Sequence, residues 1–211
     1  MKYNGIGIMW LGHDGFAISS KSLVVVIDPF QADNAPGLKA DIILVSHEHY
    51  DHCSPDDIRK FSTEGTKIYC SSGAAKKIGK TATALKEGQE INENGCTIRA
   101  VPAYNIGKQF HPKGLGIGFV LTIEGTTFYH AGDTDFIPEM HELSGKIDVA
   151  FLPVSGTYVM KPKEAAMAAE TIRPKLAIPM HFGAIIASES EAREFASAYA
   201  GKTQILQHNK P

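Results

Sequence analysis

Short apolar runs open the chain: Ile6 to Leu11, Phe16 to Ser19 and Leu23 to Ile27 are separated by glycines and polar residues. This spacing predicts a meander of antiparallel strands. Asp28-Pro29 closes the third run, since proline cannot continue a central strand. Ile42 to Val45 is apolar throughout, as expected of a strand covered on both faces, and it runs straight into Ser46-His47. Ser54-Pro55-Asp56-Asp57 carries the marks of a helix start: an N-cap serine, a first-turn proline and two acids near the positive end of the dipole. A strand at Lys67 to Cys70 and a short helix near Ala74 to Ile78 follow.

The second half repeats this style. Thr97 to Val101, Gly116 to Ile123 and Thr126 to Tyr129 read as strands, the last two joined by a tight turn at Glu124-Gly125. Asp148 to Leu152 and Leu176 to Ile178 are further strands, and Gln204 to Leu206 a final one. Lys163 to Ile172 and Ser188 to Tyr199 read as helices, ended by Pro174 and Gly201. Strands first, then strand–helix alternation, fits an α/β (α+β) chain in which two sheets are covered by helices, a four-layer αββα sandwich.

Bulk properties narrow the chemistry. The 211 residues suit one α/β domain over 1–211, and the formal net charge of -2 shows no basic excess. No nucleic acid partner is expected on that balance, so a small-molecule substrate is the default. No run of about 20 apolar residues suggests a membrane span, and no membrane partner is expected. Three cysteines, Cys53, Cys70 and Cys96, fit neither a disulfide framework nor a zinc ribbon; a reduced, cytoplasmic setting is expected. Cys53 is read as a bystander, although a helix start can acidify a thiol.

The chemistry concentrates in Ser46-His47-Glu48-His49-Tyr50-Asp51-His52, directly after a buried strand. On extended chain, alternate side chains share a face, so His47, His49 and Asp51 converge and a turn brings in His52. Imidazole and carboxylate suit zinc, manganese or iron. Two divalent metals are expected, zinc first, with manganese or iron as alternatives.

The HxHxDH pattern resembles the metallo-β-lactamase superfamily, and the likeness spans nearly the whole chain. It implies the metallo-β-lactamase fold and a binuclear metal site. His47, His49 and a later histidine would bind one metal. Asp51, His52 and a C-terminal histidine, matched by His181 in Pro179-Met180-His181, would bind the second. Asp133, after Gly132, would bridge the two. The third histidine of the first metal is His111 in Phe110-His111-Pro112, with His130 as the rival; His130 precedes Asp133 on the same strand and otherwise supports the site. Leu11-Gly12-His13 with Gly15-Phe16, and then Ile27-Asp28-Pro29, are similar to the subgroup that includes ascorbate-6-phosphate lactonase and N-acyl-phosphatidylethanolamine phospholipase D. In that likeness Asp28 and His13 would orient or line the ligands. His141 and His208 are read as ordinary surface histidines.

The resemblance implies a metal-dependent hydrolase in which a shared hydroxide attacks a small ester, lactone or phosphoester. Asp51 and Asp133 would be the catalytic carboxylates. Tyr158 and Lys161, in a loop after a buried strand, would bind substrate, with Lys113 as a further cation for an anionic group. A nuclease or phosphodiesterase acting on short nucleic acid and a non-hydrolytic metal protein are the competing readings. Homo-oligomerisation stays open.

Overall fold

In the computed structural model, which describes residues 1–208, the chain forms two compact units. The first comprises residues 1–86 and the C-terminal segment from Leu206; the second comprises 87–205.

The first unit is built on a seven-stranded sheet in sequence order: β1 (Lys2–Tyr3), β2 (Ile6–Gly12), β3 (Gly15–Ser19), β4 (Val24–Ile27), β5 (Ile42–Val45), β6 (Lys67–Cys70) and β7 (Ala82–Ala84). Strands β1 to β4 pair antiparallel, and β4 to β7 pair parallel. One row across the sheet, Ala17, Val26, Ile43 and Ile68, packs into a core with Ile58 and Phe61 of α1 (Pro55–Phe61) and Ala74 of α2 (Ser72–Ile78). All four β5 side chains are fully buried, as the continuous apolar run requires. Helix α1 starts where the sequence signals it: Ser54 Oγ accepts the Asp57 N–H, and Pro55 occupies the first turn. Asp57 also accepts the Gln31 and Ala32 N–H groups, tying α1 to the loop that follows β4.

The second unit is a six-stranded sheet in the order β13-β12-β11-β10-β9-β8, with β8 (Glu90–Glu93), β9 (Cys96–Ala103), β10 (Gly116–Ile123), β11 (Thr126–His130), β12 (Val149–Pro153) and β13 (Leu176–Met180). Strands β8 to β11 pair antiparallel, and β11 to β13 pair parallel. Glu124 and Gly125 both take positive φ, 47° and 76°, as a tight hairpin between twisted strands demands. Pro179 lies within β13, which is tolerated because β13 is an edge strand. Helix α3 (Pro162–Ile172) packs on β12 and α4 (Glu189–Ala198) on β13; Ala165, Ala168, Ala169 and Ile172 form the buried stripe of α3.

The sequence expectation fails in a few places. Gln204 to Leu206 is not a strand: a single bridge, Ala177 to Thr203, caps the β13 edge and the chain then leaves the sheet. The reading also omits β1, β7 and β8, while His141 lies on a 3-10 helix, Pro138–Leu143. Among the described residues, no helix is long and apolar enough to cross a membrane.

Candidate metal centre

Strand direction determines where the polar residues collect. In the first unit β2, β4 and β5 run the same way, since β3 reverses between β2 and β4. Their C-terminal ends therefore share one edge of the sheet. His13 and Asp14 follow β2, Asp28 follows β4, and Ser46 to His52 follow β5.

His47 Nε2 and His49 Nδ1 lie 2.9 Å apart. Zinc–nitrogen bonds of about 2.0–2.1 Å at tetrahedral angles would separate two ligand nitrogens by about 3.3 Å, so this convergence fits a shared cation with little adjustment. Ser46 Oγ is 3.0 Å from His47 Nδ1, leaving Nε2 as the ligating atom. Beside this pair, His13, Asp51 and His52 each offer an atom within 4.8 Å of the others. His13 Nε2 is 3.2 Å from Asp51 Oδ2.

Asp28 is fully buried and organises this half. Its carboxylate accepts the Ser46 N–H at 2.7 Å, the Ser46 hydroxyl at 2.5 Å and His52 Nδ1–H at 2.9 Å. The last bond directs the His52 Nε2 lone pair outward, the usual way a carboxylate fixes a ligand imidazole. Asp14, absent from the sequence-based candidates, is also fully buried, with Oδ2 3.4 Å from His52 Nε2.

In the second unit β9, β11, β12 and β13 point the same way, so the loops after them leave from one edge. Those loops carry His111, Asp133, Tyr158 and His181. Asp133 Oδ2 lies 3.1 Å from His111 Nε2 and 3.3 Å from His181 Nε2. The far nitrogens are engaged too. His181 Nδ1 is 2.7 Å from Ser155 Oγ, while His111 Nδ1 is shared between Asn105 Oδ1 (3.2 Å) and the Tyr158 carbonyl (3.3 Å). Asn105 is itself held by Asp135, which also accepts from the Ile106 N–H and from Lys108. Asn105, Asp135 and Ser155 were not singled out from sequence.

His130 is fully buried with its ring against Phe151; its Nδ1 accepts the Gly132 N–H at 3.3 Å, which steadies the turn into Asp133. Tyr158 is exposed, and the atom that meets His111 is its carbonyl oxygen. Lys161 is exposed at the N-cap of α3, its stem against Gly156, and Lys113 is paired with Glu139.

Three site residues take left-handed backbone: His13 (φ 51°), Asp28 (φ 43°) and His181 (φ 63°). Each directly follows a strand or its last glycine, so the chain turns sharply there at a cost of about 1–2 kcal/mol per residue. Cys53, next to His52, is fully buried; burial pushes its thiol up to about 11, so the helix start does not activate it. His141 is exposed on the 3-10 helix, as expected. His208 is not an ordinary surface side chain. It is half-buried, its ring meets Trp10 edge-on at 5.9 Å, and its Nε2 lies 2.9 Å from the Leu11 carbonyl.

Comparison with known proteins assigns the chain to a family. The sequence profile of the β-lactamase superfamily domain matches residues 7–181. A UPF0173 metal-dependent hydrolase of Thermococcus kodakarensis is 33% identical over 215 residues, covering 95% of each chain. A protein of Parabacteroides distasonis described as a metal-dependent hydrolase superimposes with a TM-score of 0.87 at 35% identity, over 96% of this chain and 94% of that one. A Thermotoga maritima protein described as a Zn-dependent hydrolase of the metallo-β-lactamase superfamily gives a TM-score of 0.64 at 25% identity, covering 94% and 96%. The chain has the metallo-β-lactamase fold and belongs to the UPF0173 family of metal-dependent hydrolases within the metallo-β-lactamase superfamily.

Proposed function

We propose that the chain hydrolyses a small ester, lactone or phosphoester at a site holding two divalent ions. His47, His49 and His111 would take one ion, Asp51, His52 and His181 the other, and Asp133 both. The observation that carries this reading lies in the second unit: one carboxylate oxygen, of Asp133, within 3.3 Å of two imidazole nitrogens whose opposite nitrogens are occupied. A carboxylate so placed suits a ligand shared by two ions. Bound divalent ions supply Lewis acidity and lower the pKa of water from its bulk value to about 7. The protein's own groups orient the reactants. Asp51 would align the attacking water by accepting its hydrogen bond, with His13 beside its carboxylate. Asp28, Ser46 and Asn105 would accept from Nδ1–H of His52, His47 and His111 and so favour a free Nε2, while Ser155 Oγ meets His181 Nδ1.

The choice of zinc is supported by the imidazole-rich donor set and by the Zn-dependent description of the Thermotoga protein. A lactonase-like activity rests on the His13 and Asp28 motifs alone. Lys161, exposed in the same loop as Tyr158, would meet an anionic group on the substrate.

Metal analysis tests the reading without depending on turnover. Wild-type protein loaded with zinc or manganese is expected to hold two ions per chain. His111→Ala and His181→Ala are each expected to hold about one, with chromogenic ester and phosphodiester hydrolysis falling at least 10–100-fold. Two ions retained in both variants, or in His111→Ala while His130→Ala loses one, would overturn the ligand assignment.

A further inference from the structure

Beyond the reaction class, the second unit carries information about what the substrate looks like; this inference rests on the hydrolytic reading above. Phe110 and Tyr158 are large, apolar and exposed, at 46% and 37% of their surfaces. Their ring centroids lie 4.7 Å apart at 89°, an edge-to-face pair. The pair stands directly at a candidate ligand: Phe110 precedes His111 in the chain, and the Tyr158 carbonyl accepts from His111 Nδ1. Ile106, 55% exposed, belongs to the same loop.

The backbone beneath these rings is not loose. Asn105 Nδ2–H donates to the Tyr158 carbonyl at 2.9 Å, Lys108 donates to the Val159 carbonyl at 2.8 Å, and the Met160 N–H reaches the Thr134 carbonyl at 3.2 Å. Two loops are thus fastened to each other and to the segment after Asp133. A clamped framework presenting unsheltered aromatic rings beside a reactive centre is unlike a mobile surface loop. Exposed apolar clusters of this kind mark ligand contacts.

We propose that Phe110 and Tyr158 form an aromatic shelf that receives an apolar group of the substrate, an aryl ring or a short acyl chain, while the scissile bond lies toward His111 and Asp133. The substrate is therefore an ester or phosphoester carrying an apolar substituent. A compact, fully polar sugar phosphate would leave the shelf in water and gain nothing from it. Tyr158 acts here through its ring face, and its main-chain carbonyl continues to position His111 in any side-chain variant.

The test compares paired probes that differ only in the apolar group. Phenylphosphonate and methylphosphonate are titrated as ligands of zinc-loaded protein by calorimetry, and their monomethyl esters are assayed as substrates by released methanol. Wild type is expected to favour phenyl over methyl by about 10-fold or more in both binding and kcat/KM. Phe110→Ala and Tyr158→Ala are each expected to bring that ratio down toward one, with Phe110→Leu retaining part of it. Metal content and unfolding temperature check each variant for folding. A wild-type ratio near one, or variants that weaken both probes equally, would overturn the shelf. Phenyl selectivity in binding without any turnover would instead sink the hydrolytic reading and leave the shelf standing. Turnover without selectivity would do the reverse.

Discussion

Asp28→Asn separates the ligand-orienting role of Asp28 from its structural one. The wild-type carboxylate is acceptor-only and receives three hydrogen bonds, from Ser46 N–H, Ser46 Oγ–H and His52 Nδ1–H. Asparagine is nearly the same size and tolerates the left-handed backbone found there, φ 43°. Its carbonyl oxygen can keep the Ser46 N–H bond. Its amide nitrogen, however, turns N–H groups toward His52 Nδ1–H, placing donor against donor in a site closed to water. The imidazole relieves the clash by moving its proton to Nε2, which then has no lone pair to offer the proposed ion. Disturbing a ligand's supporting group costs about 10–100-fold in metal affinity, or roughly 1.4–2.7 kcal/mol.

Stability should respond differently. Losing one hydrogen bond to a buried charge costs about 1.5–3 kcal/mol, or roughly 3–12 °C for a chain of this size. Asp28→Ala should cost more in metal-free protein, because the Ser46 N–H is stranded and a residue with a plain Cβ is forced into left-handed backbone. Competition against a chromogenic chelator measures the affinity; thermal unfolding of metal-free protein measures the stability. The reasoning fails if Asp28→Asn binds both ions as tightly as wild type, or if Asp28→Asn and Asp28→Ala lose affinity only in proportion to their loss of stability.

Two other perturbations reach residues away from the ligands. His208→Ala removes the bond to the Leu11 carbonyl and the ring edge against Trp10, whose indole N–H donates to the His13 carbonyl. It should lower stability by about 1–2 kcal/mol and weaken the metal binding proposed at Asp51 and His52, next to His13, read by unfolding and chelator competition; no change in either would make the C-terminal segment passive. Native protein should resist thiol reagents at pH 8, because burial raises Cys53 to about 11 and Cys70 and Cys96 to about 12. That leaves less than about one part in a hundred as thiolate, and rapid labelling of folded, metal-loaded protein with 5,5′-dithiobis(2-nitrobenzoate) would contradict it.

Much of this architecture is written in local pattern. The β5 run, the Ser54-Pro55 helix start, the Glu124-Gly125 hairpin and the helix ending before Pro174 all follow from short-range rules, and the structure has each of them. The omitted elements lack such patterns. Strand β8 reads Glu-Ile-Asn-Glu with its alternate residues exposed; it is an edge strand held only by β9, so tertiary pairing creates it rather than composition. The histidine cluster was legible because its residue types are rare at that density. Its supports were not. Ser46, Asn105, Asp135 and Ser155 are among the commonest polar residues, and only the fold reveals which of them face an imidazole. Asp14 had one available signal, its position beside His13 in a motif already noticed.

The left-handed residues show where sequence reading reaches its limit. A glycine with positive φ advertises itself, because glycine is the default there. His13, Asp28 and His181 adopt that geometry with full side chains, and the enrichment of histidine and aspartate there is too weak to mark these positions in a sequence. Together they cost about 3–6 kcal/mol, a substantial fraction of a domain's stability. The cost is tolerable because each turn is over-determined. Trp10 holds the His13 carbonyl, Leu44 and Ser46 hold Asp28 from two sides, and Ser155 holds the His181 ring. A gentler exit from β2, β4 or β13 would carry the side chain past the sheet edge and away from its partners. On the proposed ligand set the strain serves the site: it aims an imidazole or its supporting carboxylate at the place where the strands end.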